Sequence, residues 1–165
     1  MIRTLSAVVC LVVSTTTAIA QQHHCTGPQV GTWTLNSIIT EYQDTGQKVE
    51  RYGAHPTGFL SYGPDCRMYA IVAREGRKAP TGIVPTDAEK IDLFDGVLAY
   101  AGTYTIEGDN ISHHVDISSN ESWTGTTQVR QFKIEGNTLH IRSVPAINPR
   151  DGRLSSSSFI WTRVQ

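Results

Sequence analysis

The chain has 165 residues, 39% of them hydrophobic, with 14 Lys and Arg against 15 Asp and Glu and a net charge of −1. No lysine- or arginine-rich run marks a basic face, which excludes nucleic acid as an expected partner. The length suits one domain with a real core once a leader is set aside.

That leader is residues 1–20. Arg3 is a short basic stretch, Leu5 to Val13 is apolar apart from Ser6, and Ala18-Ile19-Ala20 has the small-x-small form of a secretory cleavage site. The apolar run is short for a membrane span, and an uncleaved N-terminal anchor is the alternative. Cleavage after Ala20 implies a secreted or periplasmic protein without membrane contact, with a lead-in at 21–30 and a folded domain at 31–165. It would leave Gln21-Gln22-His23 with a free amine, an arrangement suited to square-planar Cu(II) or Ni(II) with His23 as a ligand. The other reading is a polar lead-in whose Gln21 cyclises. No cofactor is expected; His23 is one metal candidate, and a surface site of His114, Asp116 and His140 is the other, for which solvated outer-face residues are the preferred reading. Cys10 leaves with the leader, so Cys25 and Cys66 remain, an even number in an oxidising compartment. A bridge between them is expected, with two free thiols as the alternative.

Residues 31–43 are rich in β-branched and aromatic residues and end at Asp44-Thr45-Gly46, which predicts a long first strand. Lys48 to Tyr52 forms a second, interrupted by Ala54-His55-Pro56. Gly58 to Tyr62 and Arg67 to Ala73 pair about the turn Gly63-Pro64-Asp65. Residues 74–85 hold two prolines and two glycines and form a loop. Thr86-Asp87-Ala88-Glu89 is a capping box opening a short helix to about Asp95, with Ile91 and Phe94 on one side and Gly96 as its stop. Pro80, Pro85 and this helix are expected to plug one mouth of the fold.

Leu98 to Ile117 predicts a β-hairpin turning at Gly108-Asp109, where glycine supplies the positive φ of a two-residue turn. The register pairs Ile106 with Ile111, Tyr104 with His113, Gly102 with Val115 and Tyr100 with Ile117. Thr105/Ser112, Thr103/His114 and Ala101/Asp116 make the opposite face. After a polar loop at 118–122, a second hairpin turns at Gly136-Asn137. It pairs Ile134 with Leu139, Phe132 with Ile141 and Arg130 with Ser143, while Gln131/Arg142 and Lys133/His140 share the other face. A last strand runs from Leu154 to Val164. Thr103, Thr105, Ser112 and Ser155 to Ser158 read as exposed strand polarity. Eight or nine strands, one helix and close-spaced turns predict an all-β fold, an antiparallel up-and-down barrel, with a two-layer sandwich as competitor.

Gly31-Thr32-Trp33 resembles the glycine-x-tryptophan start of lipocalins and related calycin barrels, in which an arginine of the final strand packs across the tryptophan; Arg163 in Trp161-Thr162-Arg163 matches that role. The ordered set Arg51-Tyr52-Gly53, His55-Pro56, Gly58-Phe59-Leu60, Tyr62 and Pro64-Asp65 is similar to the bacterial and fungal lipocalin-like domain family. Phe94-Asp95-Gly96, Tyr100, Gly102-Thr103-Tyr104, Gly108-Asp109 and His113-His114-Val115 continue the likeness, which runs from about Gly31 to Arg163. The resemblance implies a closed barrel with an internal cavity and closure by Trp33 and Arg163, but no particular reaction. Cys66, where the family pattern has a small turn residue, and the segment around Cys25 depart from it and suggest a variant stapled by a disulfide.

The two registers turn Tyr100, Tyr104, His113 and Arg130 inward. Such a set can hold a carboxylate or phenolate of a mainly apolar ligand, with Arg130 as the fork and the tyrosines as donors. It can also move a proton, with His113 as base or acid and Arg130 stabilising an enolate. Tyr104 and His113 satisfying one another in the core is the structural alternative. No Gly-x-Ser-x-Gly elbow or other activated nucleophile is present. His114, Asp116 and His140 fall on outer faces and read as solvated residues. The first expectation is therefore a binder of a small hydrophobic or amphipathic molecule. The rivals are an isomerase- or cyclase-type enzyme using His113 and Tyr104, and a periplasmic inhibitor or interaction protein presenting residues 21–24.

Overall fold

In the segments 57–62 and 67–73 every second side chain is buried, the period-two signature of a sheet with one face inward. The same logic builds the rest of the molecule. The structure, a computed structural model, describes residues 24–148 and 151–165; the leader and Gln21 to His23 lie outside them. The strands are β1 (Gly31–Tyr42), β2 (Lys48–Val49), β3 (Thr57–Tyr62), β4 (Arg67–Ala73), β5 (Val97–Glu107), β6 (Asn110–Ser118), β7 (Thr127–Glu135), β8 (Thr138–Ser143), β9 (Ala146–Ile147) and β10 (Leu154–Arg163), with one helix, α1 (Asp87–Asp95).

From β3 to β8 consecutive strands pair antiparallel, β8 pairs with β10, and β1 pairs with both β3 and β10. That second pairing closes β1, β3 to β8 and β10 into an eight-stranded barrel, while β2 and β9 are two-residue ribbons beside β1 and β10. The barrel, rather than the sandwich, is formed. The expected second strand is cut to two residues because Glu50 to Gly53 turns, Gly53 N–H donating to Glu50 O at 3.0 Å. A register irregularity between Leu35 and Ser37 lets Trp33 and Leu35 point inward before it and Ile38, Thr40 and Tyr42 after it.

One barrel end is sealed. Trp33 is wholly buried, donates from Nε1 to Gln29 O at 2.9 Å, and lies 4.1 Å from the Arg163 guanidinium. Arg163 also donates to Val30 O at 2.9 Å and to Pro28 O. Guanidinium over indole is worth about 1–2 kcal/mol when partly desolvated. Gly31 has φ +132°, and a Cβ there would stand 2.9 Å from the Arg163 guanidinium, so both backbone and closure require glycine at the head of the motif. Cys25 and Cys66 are bridged with Cα atoms 5.1 Å apart, tying the lead-in to the β3–β4 turn.

Both hairpin turns form where predicted, with φ +57° at Gly108 and +60° at Gly136. The second hairpin keeps the predicted register throughout. The first keeps it from Ile106/Ile111 to Gly102/Val115 and then shifts: Ala101 faces Ile117 and Tyr100 faces Ser118. The cause is a bulge at Asp116, which turns Ile117 outward, 65% exposed, and leaves Asp116 paired with Arg67 at 2.9 Å.

Two further expectations are corrected. Ser155 and Ser156 are buried, and the Ser157 hydroxyl lies 3.0 Å from that of Thr40, its ladder partner, because β10 lies beside β1 within the wall from Arg163 to Ser155. The capping box at Thr86 and Glu89 forms, but no residue of α1 is buried; Ile91 and Phe94 are exposed and the helix plugs nothing. Its length is held by its cap and by Arg74 on Asp92 at 2.7 Å, not by an apolar face. The rim beyond β1 is instead organised by Asp151, which accepts from Tyr42 Oη at 2.5 Å and from Arg51, with Arg153 3.7 Å over the Tyr42 ring. The bond from Tyr42, with lesser help from Arg153 N–H and Arg51, holds the Asp151 carboxyl at about 2.

Candidate functional site

His113 on β6 points into the barrel because it alternates with Ile111 and Val115, all three buried. Its ring lies between two tyrosines. Nε2 is 2.7 Å from Tyr62 Oη and Nδ1 is 3.0 Å from Tyr100 Oη. Tyr62 comes from β3, across the barrel, and was absent from the expected set, since nothing local in the sequence brings β3 to β6.

Tyr104 sits opposite His113 in the ladder, as expected, but its side chain serves the sealed end. Its hydroxyl donates to Gly63 O at 3.0 Å and its ring meets Tyr62 edge-on at 4.9 Å. It does not line the cavity described next, and His113 takes its ring partners from Tyr62 and Tyr100 instead.

That cavity lies toward the other end of the barrel, where β5 begins and the β6–β7 connection crosses. Leu60, Val72, Leu98 and Ile141 form apolar wall, and Phe159 and Trp161 of β10 form aromatic wall. Tyr100, His113 and Arg130 supply the polar groups, and Trp123 covers them. Trp123 belongs to a one-turn 3-10 helix, Glu121–Trp123, capped by the Asn120 side chain on Ser122 N–H at 3.3 Å. Its ring stands edge-on to Tyr100 at 5.6 Å and 5.8 Å from the Arg130 guanidinium. The sequence of this loop reads as polar, so its one aromatic is the only signal that could have marked it.

The space comes to about 380 Å³ counting the part open to solvent, but room for the centre of a water-sized sphere is only about 30 Å³. A few tens of cubic ångströms hold on the order of two waters, against several hundred for a drug-sized ligand. The cavity is therefore smaller than the resemblance implies, because Trp33, Tyr62, Met68 and Tyr104 fill the sealed half.

Arg130 is 7% exposed. It donates to Val129 O at 3.0 Å and Gln128 Oε1 at 3.3 Å, both neutral, and no ion pair among the described residues includes it. Burial, then Arg130 and His114, pushes the His113 pKa down to about 3. Burial likewise raises both tyrosines above their ordinary range, so at neutral pH the trio is uncharged beside one cation.

A pH dependence follows. Folded His113 stays neutral to about 3, whereas the unfolded residue takes up a proton near 6.5. In that window the unfolded chain binds more protons, so stability falls as pH drops below about 6.5, by at most about 1.4 kcal/mol per pH unit for this one proton. Urea unfolding between about pH 7 and 5, where carboxylates stay ionised, should show that loss, and His113→Gln should lack it. A variant with the wild-type pH slope would remove His113 as its source.

The outer-face residues take structural partners. His114 lies between Thr105 at 3.0 Å and Thr127 at 3.1 Å, and His140 is 3.4 Å from Glu135. Cys25 and Cys66 are consumed by their bridge.

A family model described as a lipocalin-like domain matches residues 30–164. No curated protein matches the chain. Among solved structures, a lipocalin-like protein from Bacteroides uniformis ATCC 8492 is 15% identical, with a TM-score of 0.44 over 84% of this chain and 100% of that one. An uncharacterized protein from Bacteroides eggerthii DSM 20697 is 14% identical, with a TM-score of 0.39 over 82% of this chain and 99% of that one.

Proposed function

The chain belongs to the lipocalin-like domain family, and on that premise we propose that it binds a small, mainly apolar molecule at the covered end of its barrel. One observation carries the reading: Tyr100, His113 and Arg130 converge inside otherwise apolar walls, beneath the single side chain of Trp123. Apolar walls with a few placed polar groups are the usual make-up of a small-molecule site. The polar end of the ligand reaches these residues, and its apolar body lies in the open part of the cavity, displacing or underlying Trp123. His113 orients Tyr100 and does not itself face the ligand with a charge.

A secreted or periplasmic setting, with cleavage after Ala20, belongs to the same reading. The Cys25–Cys66 bridge supports it, as such bridges persist in oxidising compartments.

Native mass spectrometry of the protein purified from its own source tests the proposal. A bound apolar molecule released on unfolding, at near-stoichiometric occupancy, is expected. Protein that arrives empty and binds nothing from an extract of its source overturns it.

A further inference from the structure

The polar groups that meet in the cavity are all hydrogen-bond donors. Trp161 lines it, is 3% exposed, and among the described residues its Nε1–H has no hydrogen-bond partner. Arg130 is a buried cation whose two acceptors are neutral, and among the described residues no acidic one lines the space.

The third donor follows from the direction of the Tyr62–His113–Tyr100 chain. Tyr62 is 1% exposed, and among the described residues its hydroxyl has no acceptor other than His113 Nε2. A buried hydroxyl without an acceptor is costly, so Tyr62 donates to Nε2. A neutral imidazole carries one proton, which must then sit on Nδ1 and be donated to Tyr100 Oη. Among the described residues the proton of Tyr100 itself has no acceptor, and it is left for the occupant of the cavity.

We propose that the ligand's polar end is a carboxylate, seated as counter-ion to Arg130 and accepting hydrogen bonds from the Tyr100 hydroxyl and the Trp161 indole N–H. The proposal rests on the binding reading above and names the chemistry of that site. Charge separates the candidates. A neutral acceptor would satisfy Trp161 and Tyr100 yet leave Arg130 unpaired, and a buried unpaired cation is the costliest group in the cavity. An ammonium would add a second buried cation beside Arg130. Size agrees: a cavity with room for on the order of two waters takes a group as small as a carboxylate.

The test is calorimetric titration with matched carboxylates, primary alcohols and primary amines on phenyl, naphthyl and octyl bodies. On at least one body the carboxylate should bind about tenfold or more tighter than the alcohol, with the amine undetectable, since a hydrogen bond to a charged group is worth that much. Arg130→Gln, checked for its fold by circular dichroism, should bring the carboxylate down to the level of the alcohol. Trp161→Phe, which keeps the ring and removes the N–H, should weaken the carboxylate severalfold. Alcohols binding as tightly as their carboxylates, or a carboxylate indifferent to Arg130→Gln, would overturn the proposal and leave the binding reading standing. If no compound of any series binds, the binding reading falls with it. The wild-type comparison needs no variant, so a misfolded mutant cannot hide the answer.

Discussion

Loss of the Cys25–Cys66 bridge is expected to cost the fold about 4 kcal/mol, the chain-entropy value for a loop of this length. The residues are 41 apart, and the loop they close contains β1 to β3, including the strand through which the barrel is closed. Without the bridge, the lead-in is held against the sealed end by Cys25 N–H on Pro64 O at 2.8 Å, by Trp33 Nε1 on Gln29 O and by Arg163 on Pro28 O and Val30 O. The turn it releases is also the one that Tyr104 grips, through its hydroxyl on Gly63 O and its N–H on Cys66 O. Urea unfolding of a Cys25→Ser, Cys66→Ser double variant should show the midpoint lowered by about 2 M. A loss below about 1 kcal/mol would mean that the barrel seals itself without the staple.

Gly102→Ala is expected to cost about 3 kcal/mol, the upper end for forcing one extra methyl into a packed site. A Cβ at Gly102 would lie 1.9 Å from the His114 carbonyl oxygen and 3.1 Å from Asp116 N, both backbone atoms of β6. Backbone in a ladder cannot swing aside as a long side chain can. To admit the methyl, β6 must retreat at the bulge, which carries His113 away from Tyr100. Two readouts should therefore move together: stability by denaturant unfolding, and carboxylate affinity in the titration above. A stability change under about 1 kcal/mol would show that the bulge yields freely.

This bulge also marks where local reasoning stops. Hairpin registers are legible because turn chemistry and period-two alternation act over a few residues: Gly108 and Gly136 fix the turns, and each pairing follows by counting. One inserted residue at Asp116 ends the count, and nothing in the alternation of Tyr100, Gly102 and Tyr104 announces it. The same contrast runs through the site. His113 and Arg130 were legible as inward polar residues because their hairpin neighbours are apolar. Tyr62 and Trp161 were not, because their strands reach β6 and β7 only through closure of the barrel. Trp123 lies in a loop with no periodicity to read.

What the sequence by itself determined was the eight barrel strands and the two hairpin turns, the capping box of α1, the pairing available to Cys25 and Cys66, and the inward face of each hairpin as far as the bulge at Asp116. Each rests on contacts between residues close in the chain, or on Cys25 and Cys66 being the two cysteines beyond residues 1–20. The tertiary structure alone decided that His113 is held by Tyr62 and Tyr100 while Tyr104 turns to the sealed end. It alone decided that no residue of α1 lines the cavity, and that Trp123 stands over Arg130 there. Partners brought together by closing a barrel are set by geometry around its whole circumference, and no local pattern carries that information.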